Sequence, residues 1–115
     1  MPSSEQIFRR LKLDALVLFD DTMFPTESYG PRQLTELIKR SDILLIMKTD
    51  MARPIRLEDE FFEILQLNDK ALMALSEDDP DRCLLGLKTR KGFLLAVGSA
   101  DDPGLLLYEL SLRIR

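Results

Sequence analysis

The apolar positions of this chain fall into short blocks, and the blocks are clearest in its last third, Arg82–Arg115. Three apolar runs lie there, residues 82–89, 93–100 and 105–115, separated by the turn-forming clusters Arg90–Gly92 and Asp101–Gly104. The last run alternates, with Tyr108, Leu110, Leu112 and Ile114 on one side and Glu109, Ser111, Arg113 and Arg115 on the other. That is the period-two pattern of a half-buried strand. Turn signals recur upstream at Asn68-Asp69 and Asp78–Asp81, and runs spaced this closely predict an antiparallel meander. A second reading of the end stays open. Asp102-Pro103 is also a helix start, which would make Leu106, Leu107, Leu110 and Ile114 one stripe. Leucine, a helix former, dominates the apolar set, whereas valine occurs only at Val17 and Val97.

The first half reads as helices alternating with buried runs. Ser3 or Ser4 can cap a helix near 4–12, with Ile7, Phe8 and Leu11 on one face and Arg9, Arg10 and Lys12 at its wetter end. Ala15–Phe19 is a continuous apolar run of strand length, and residues 21–30, with Pro25 and Gly30, read as a loop. Gly30-Pro31 opens a helix over 31–41, whose stripe is Leu34, Leu37 and Ile38. Ile43–Met47 predicts a second buried strand, followed by a turn at 49–54. Residues 57–67 favour a helix with Glu58-Asp59-Glu60 at its start, because Glu, Asp and Leu are weak strand formers. The competing form is a hairpin, 60–67 and 70–76, turning at Asn68-Asp69. The pattern therefore predicts one α+β domain over residues 1–115. Its antiparallel meander comes mainly from the C-terminal half and is covered by two or three helices; a flavodoxin-like three-layer α/β arrangement is the alternative.

Composition changes this picture little, since 45% hydrophobic and 31% charged residues are ordinary for a globular domain and argue against disorder. Charge changes it more. Leu57–Asp81 holds nine acids and one base, net −8, whereas Arg82–Ala100 holds four bases and no acid, net +4. Such a split bears on partners and solubility rather than on fold; its plainest reading is solvated turns that neighbour each other in one molecule. No run is long enough to span a membrane, and Met1–Lys12 lacks the apolar core of a signal peptide. The single Cys83 fits a reducing compartment, so the expected location is the cytoplasm.

Histidine is absent. That removes the commonest general base and metal ligand, and with them any Ser-His-Asp or Cys-His nucleophile. What remains for chemistry is carboxylate. Ala15–Phe19 ends in Asp20-Asp21-Thr22, and this stretch resembles the first motif of haloacid-dehalogenase-type phosphatases. Thr49 and the Asp101-Asp102 pair would stand in for later motifs of that family. The resemblance implies a Mg²⁺-dependent, phosphate-handling α/β site on Asp20, Asp21, Asp101 and Asp102. It departs from the family where two aspartates should stand one residue apart; here they are adjacent and would point to opposite faces of a strand. Receiver domains of response regulators also carry an acid pair there, but their later acceptor aspartate and lysine have no counterpart. Glu77–Asp81 lacks the alternating oxygens and glycine of an EF-hand loop and reads as a solvated turn.

The remaining constellation is electrostatic. Arg82, Lys88, Arg90 and Lys91, with Phe93 beside them, form a basic group around one turn, and Glu58, Asp59 and Glu60 an acidic group. Nucleic acid is disfavoured by the pI of 4.8 and by the lack of aromatic residues between the bases. Basic loops of pleckstrin-homology-like domains meet lipid, but the helices and buried runs upstream fit that fold poorly. An acidic protein surface is the better partner, a second copy of the chain included. Phe93–Val97 and Leu105–Leu110 are also more apolar than a sheet with one wet face requires, so helices or a partner must cover them. The expectation is a non-catalytic regulatory or adaptor module working through protein–protein contact, as a homodimer, without a cofactor. The phosphate- or metal-dependent enzyme is its alternative.

Overall fold

A computed structural model describes residues 3–49 and 51–114. Seven strands form one sheet in the order β2-β1-β7-β6-β5-β4-β3. The elements are α1 (Ser4–Arg10), β1 (Ala15–Asp20), β2 (Pro25–Tyr29), α2 (Arg32–Arg40), α3 (Ile43–Thr49), β3 (Ile55–Leu57), β4 (Glu60–Leu67), β5 (Ala71–Ser76), β6 (Arg82–Lys88), β7 (Gly92–Ser99) and α4 (Pro103–Arg113). Every pairing is antiparallel. The fold is therefore mixed α+β, and the parallel, crossover-linked sheet of a flavodoxin-like arrangement is not what forms. Beside the C-terminal strands β4 to β7, the sheet takes in β1 next to β7, with β2 and β3 at the two edges.

The continuous apolar runs explain the layers. In β1, Ala15, Val17 and Phe19 join one core, with α2, α3 and residues of β3 to β7. Leu16 points the other way, into a second core with Ile7 of α1 and Leu106, Leu107 and Leu110 of α4. Strand β7 divides in the same manner, Leu95 and Val97 to the first core and Leu94 and Ala96 to the second. Successive side chains of a strand face opposite sides. A run apolar at every position therefore needs cover on both, and the helices provide it.

Four sequence expectations are corrected. Ile43–Met47 is helix, not strand: Ile43, Leu44, Ile46 and Met47 are buried while Leu45 is exposed, a spacing a strand cannot produce. Five consecutive apolar residues carry no period of their own, and here they cover the sheet rather than extend it. Residues 60–67 are strand, not helix. The Asn68-Asp69 hairpin is fixed by Asn68, whose Oδ1 accepts from the backbone N–H of Lys70 and Ala71 at 2.8 and 2.9 Å, and Phe62 and Ile64 face the first core. Residues 25–29 are an edge strand rather than loop. Pro25 sits at its first position, where proline is tolerated, and its exposed, polar residues give no hydrophobic alternation to read.

The fourth correction is the C-terminal segment, which is helix α4. Asp102 caps it, its side chain accepting from the Leu105 N–H at 3.1 Å, and Pro103 occupies the first turn. At the other end of the chain, Ser3 and Gln6 bond reciprocally in a capping box that starts α1. No described helix is long and apolar enough to cross a membrane.

Because both faces of β7 are covered, adjacent residues in it carry equal weight. Leu94 and Leu95 are both fully buried, in different cores. Leu94→Ala and Leu95→Ala should each lower the unfolding free energy by about 2–5 kcal/mol, measured by urea denaturation. If one of the pair were nearly neutral, that face of β7 would not be sealed.

Candidate functional site

Antiparallel pairing sorts the turns of this protein by charge. Glu60, Ser76, Arg82, Ala15 and Ser99 lie toward one end of the sheet, and Leu67, Ala71, Lys88, Gly92 and Asp20 toward the other. The connections at the first end hold Asp14 and the single base Lys12 (α1–β1), Glu58 and Asp59 (β3–β4), Glu77, Asp78, Asp79 and Asp81 (β5–β6), and Asp101 and Asp102 (β7–α4). Arg10, the last residue of α1, precedes the α1–β1 connection and is exposed like Lys12, so the end is acidic in sum rather than free of bases. The connections at the second end hold Lys70, Arg90 and Lys91 against Asp21 and Asp69.

At the acidic end one cation is drawn inside. Arg82 Nε lies 3.0 Å from Glu60 Oε1, and Arg82 Nη1 lies 3.5 Å from Asp14 Oδ2. Among the described residues the buried Nε makes no directed hydrogen bond, so its attraction to Glu60 is Coulombic. Ser76 Oγ donates to Glu60 Oε2 at 2.7 Å and accepts from the Asp78 and Asp79 N–H groups at 3.1 and 3.2 Å, which fixes the β5–β6 turn. Arg82, read from sequence as part of an exposed basic group, thus belongs to an internal network with one of the acids expected to face a partner. A cleft of about 390 Å³ opens beside it, walled by Leu34, Leu37 and Leu57 and rimmed by Glu58, Asp59 and Asp78.

At the basic end, Lys88 closes β6 opposite Phe93. The turn between them is held by Thr89, whose N–H donates to the Gly92 carbonyl at 2.8 Å and whose Oγ1 accepts from the Gly92 N–H at 3.0 Å. Gly92 is required for close approach, since a Cβ there would collide with the Phe19 carbonyl oxygen. Arg90 and Lys91 are exposed and Phe93 is half-buried. Among the described residues Lys88, Arg90, Lys91 and Arg113 form no ion pair. A hollow of about 640 Å³ brings Arg90, Lys91 and Phe93 together with Leu18, Arg113 and Ile114. Its acidic lining is already engaged: Glu27 accepts from the Tyr29 hydroxyl at 2.7 Å, a bond that raises the Tyr29 pKa to about 12.

Asp20 also lines this hollow, and its role is structural. Its Oδ1 accepts from Thr22 Oγ1 at 2.6 Å and from the Thr22 and Phe24 N–H groups, each at 2.9 Å. The Thr22 hydroxyl, then the Phe24 amide, lowers its pKa below the ordinary carboxylate value. This is the anchor of the β1–β2 turn. Asp101 and Asp102 follow β7 at the opposite end, so roughly 25 Å of strand separates the two acid pairs. The four carboxylates do not converge, and among the described residues no group of three or more His, Cys, Asp or Glu could hold a metal ion. Asp102 caps α4 instead, and Thr49, at the end of α3, donates its hydroxyl to the Leu45 carbonyl. The site expected from the phosphatase resemblance is therefore not assembled. Cys83 is buried, and burial pushes its thiol up to about 11, leaving it protonated at neutral pH.

One feature escaped the sequence reading. The outer face of α4 exposes Leu105, Tyr108 and Leu112, and Phe61 is exposed on β4. Spacing of i, i+3 and i+7 from the Asp102-Pro103 start would have revealed the stripe, had the segment been taken as helix. Neither a protein-family model nor a curated protein sequence matches the chain.

The Asp20 turn has a signed pH dependence. A carboxylate whose folded pKa is depressed stabilises the fold above its unfolded pKa of about 3.9, and that contribution is lost as pH falls through the lower folded value. Asp20→Asn should lower the melting temperature at neutral pH, with the gap from wild type closing as the pH falls below the carboxylate range. A gap that is constant with pH would refute the assignment. Arg82→Met, which leaves Glu60 and Asp14 without their cation, should cost about 1–3 kcal/mol, whereas Lys88→Met should stay within about 0.5 kcal/mol; urea denaturation of both variants checks the contrast.

Proposed function

We propose that the protein is a non-catalytic regulatory or adaptor module acting through protein–protein contact, with a second copy of the chain as its partner in a homodimer. The observation that carries this reading is the separation of unpaired charge to opposite ends of one sheet. A carboxylate-rich end and a cation-bearing end on the same rigid body are complementary between molecules, not within one. Lys88, Arg90, Lys91 and Phe93 are the contact residues at the basic end, and Glu58 and Asp59 at the acidic end; Glu60 and Arg82 set the shape of the acidic end from inside.

The chemical inventory supports a binding role over a catalytic one. Histidine is absent from the sequence, the one thiol is buried and protonated, and the acids of the competing Mg²⁺ reading stand at opposite ends of a strand. Basic and acidic ends of this kind steer association and fix orientation more than they add affinity. A cytoplasmic setting suits a module whose free thiol has no disulfide partner in the chain.

Light scattering over a range of concentrations tests the proposal. The expected result is a dimer at tens of micromolar in low salt, weakened in about 0.5 M NaCl, where the screening length falls to about 4 Å. Arg90→Glu combined with Lys91→Glu should shift the equilibrium to monomer without lowering the melting temperature. A salt-independent monomer throughout would refute self-association.

A further inference from the structure

Helix α4 is apolar on two opposite sides. Leu106, Leu107 and Leu110 are buried against the sheet, while Leu105, Tyr108 and Leu112 are 54, 59 and 43% exposed. Residues at i, i+3 and i+7 form a single stripe, and this stripe lies diametrically across the helix from the buried one. A surface helix normally shows its partner-free face as charged, as α2 does with Arg32, Glu36 and Arg40. A helix apolar on both sides is one that a neighbour covers.

The axis of α4 identifies the neighbour. The helix starts beside Asp101 and Asp102 at the acidic end and finishes with Arg113, which shares the basic hollow with Arg90 and Lys91. It therefore runs from one charged end to the other, and its exposed stripe is centred near Tyr108. We propose that α4 packs antiparallel against α4 of a second copy across a twofold axis, with Leu105 against Leu112 of the other copy and Tyr108 against its own equivalent. This rests on the self-association proposed above and names its surface. The antiparallel sense places the acids before α4 of each copy beside Arg113, Arg90 and Lys91 of the other, twice over, whereas a parallel pair would place acid against acid and base against base. The symmetry also closes the assembly at two.

The edge strands suit self-pairing less well. Edge strand β2 is polar and carries Pro25 and Glu27, and edge strand β3 has only three residues; both are features that discourage edge-to-edge pairing. Three exposed side chains per copy make a small apolar centre, so the charged ends are needed to set orientation, and the pair belongs among weak, transient interfaces.

The test uses the full chain and its outward-facing positions, whose replacement leaves the core intact. Tyr108→Glu and Leu112→Glu should each weaken the dimer at least about tenfold in sedimentation equilibrium, the scale of a central interface residue, with an unchanged melting temperature. Cross-linking then tests the register. Under copper–phenanthroline oxidation, Tyr108→Cys should form a disulfide dimer with itself. Leu105→Cys and Leu112→Cys should cross-link efficiently only when mixed, while buried Cys83 stays unreactive. A dimer indifferent to both glutamate variants, or Leu105→Cys and Leu112→Cys each cross-linking only with itself, would overturn the α4 interface and leave the interaction-module reading standing. A monomer at every concentration would overturn the interface and the homodimer together.

Discussion

The structure depends on one constraint: its central strands are apolar at every position. Ala15–Phe19 and Phe93–Val97 send alternate side chains to opposite faces, and none of those side chains can be left in water without loss of burial energy, roughly 25 cal/mol for each Å² of apolar surface. Antiparallel sheets commonly tolerate one wet face; this one cannot. Helices must lie on both sides, α2 and α3 on one and α1 and α4 on the other. The outer strands are covered on one face at most. Exposed Thr26, Glu27 and Ser28 of β2 lie at one edge, and β4 alternates buried Phe62 with exposed Phe61 and Glu63 at the other side. Only the strands in the middle had to be apolar throughout.

The same antiparallel order that builds two cores also distributes charge. Each connection between neighbouring strands returns the chain to one end of the sheet or the other, so a charge pattern that alternates from turn to turn along the chain becomes a separation in space. Acids in the β3–β4, β5–β6 and β7–α4 connections collect at one end, and the bases of the β6–β7 turn sit a strand's length away. Arg82 is the exception that shows the rule. It begins β6 rather than ending it, and so joins the acids and is shared between Glu60 and Asp14 within the molecule. The rest of the acidic block keeps its field.

How much of this was legible in the sequence depends on whether a segment's pattern was tied to a single period. The helix over Leu34, Leu37 and Ile38 was readable because its polar face is fully polar, and β1, β6 and β7 were readable because glycines, prolines and acids punctuate them. Ile43–Met47 was not, because five apolar residues fit a buried strand and a buried helix equally, and only the presence of a sheet face needing cover decides between them. Glu60–Leu67 was misread because propensity favours helix, while cross-strand pairing with β5 and the Asn68 turn are long-range and local-geometry effects that override it. The Asp20 acids looked chemical because a strand ending in carboxylates suits an open parallel sheet. In an antiparallel one, the chain turns straight back, and the acid serves the turn.

The misreading of residues 105–114 has a more specific cause, and it bears on function. Alternation of Tyr108, Leu110, Leu112 and Ile114 imitates a strand only because Tyr108 and Leu112, on the solvent side of α4, are apolar like Leu110 on its core side. Had those outer positions been Lys or Glu, as on a free surface helix, the period of 3.6 would have been plain and the strand reading would not have arisen. The ambiguity of the segment and the exposed stripe on the helix are thus one physical fact. Apolar side chains on both sides of α4 are what hide its helical period in the sequence, and the same side chains are the surface on which the proposed pairing of two copies rests.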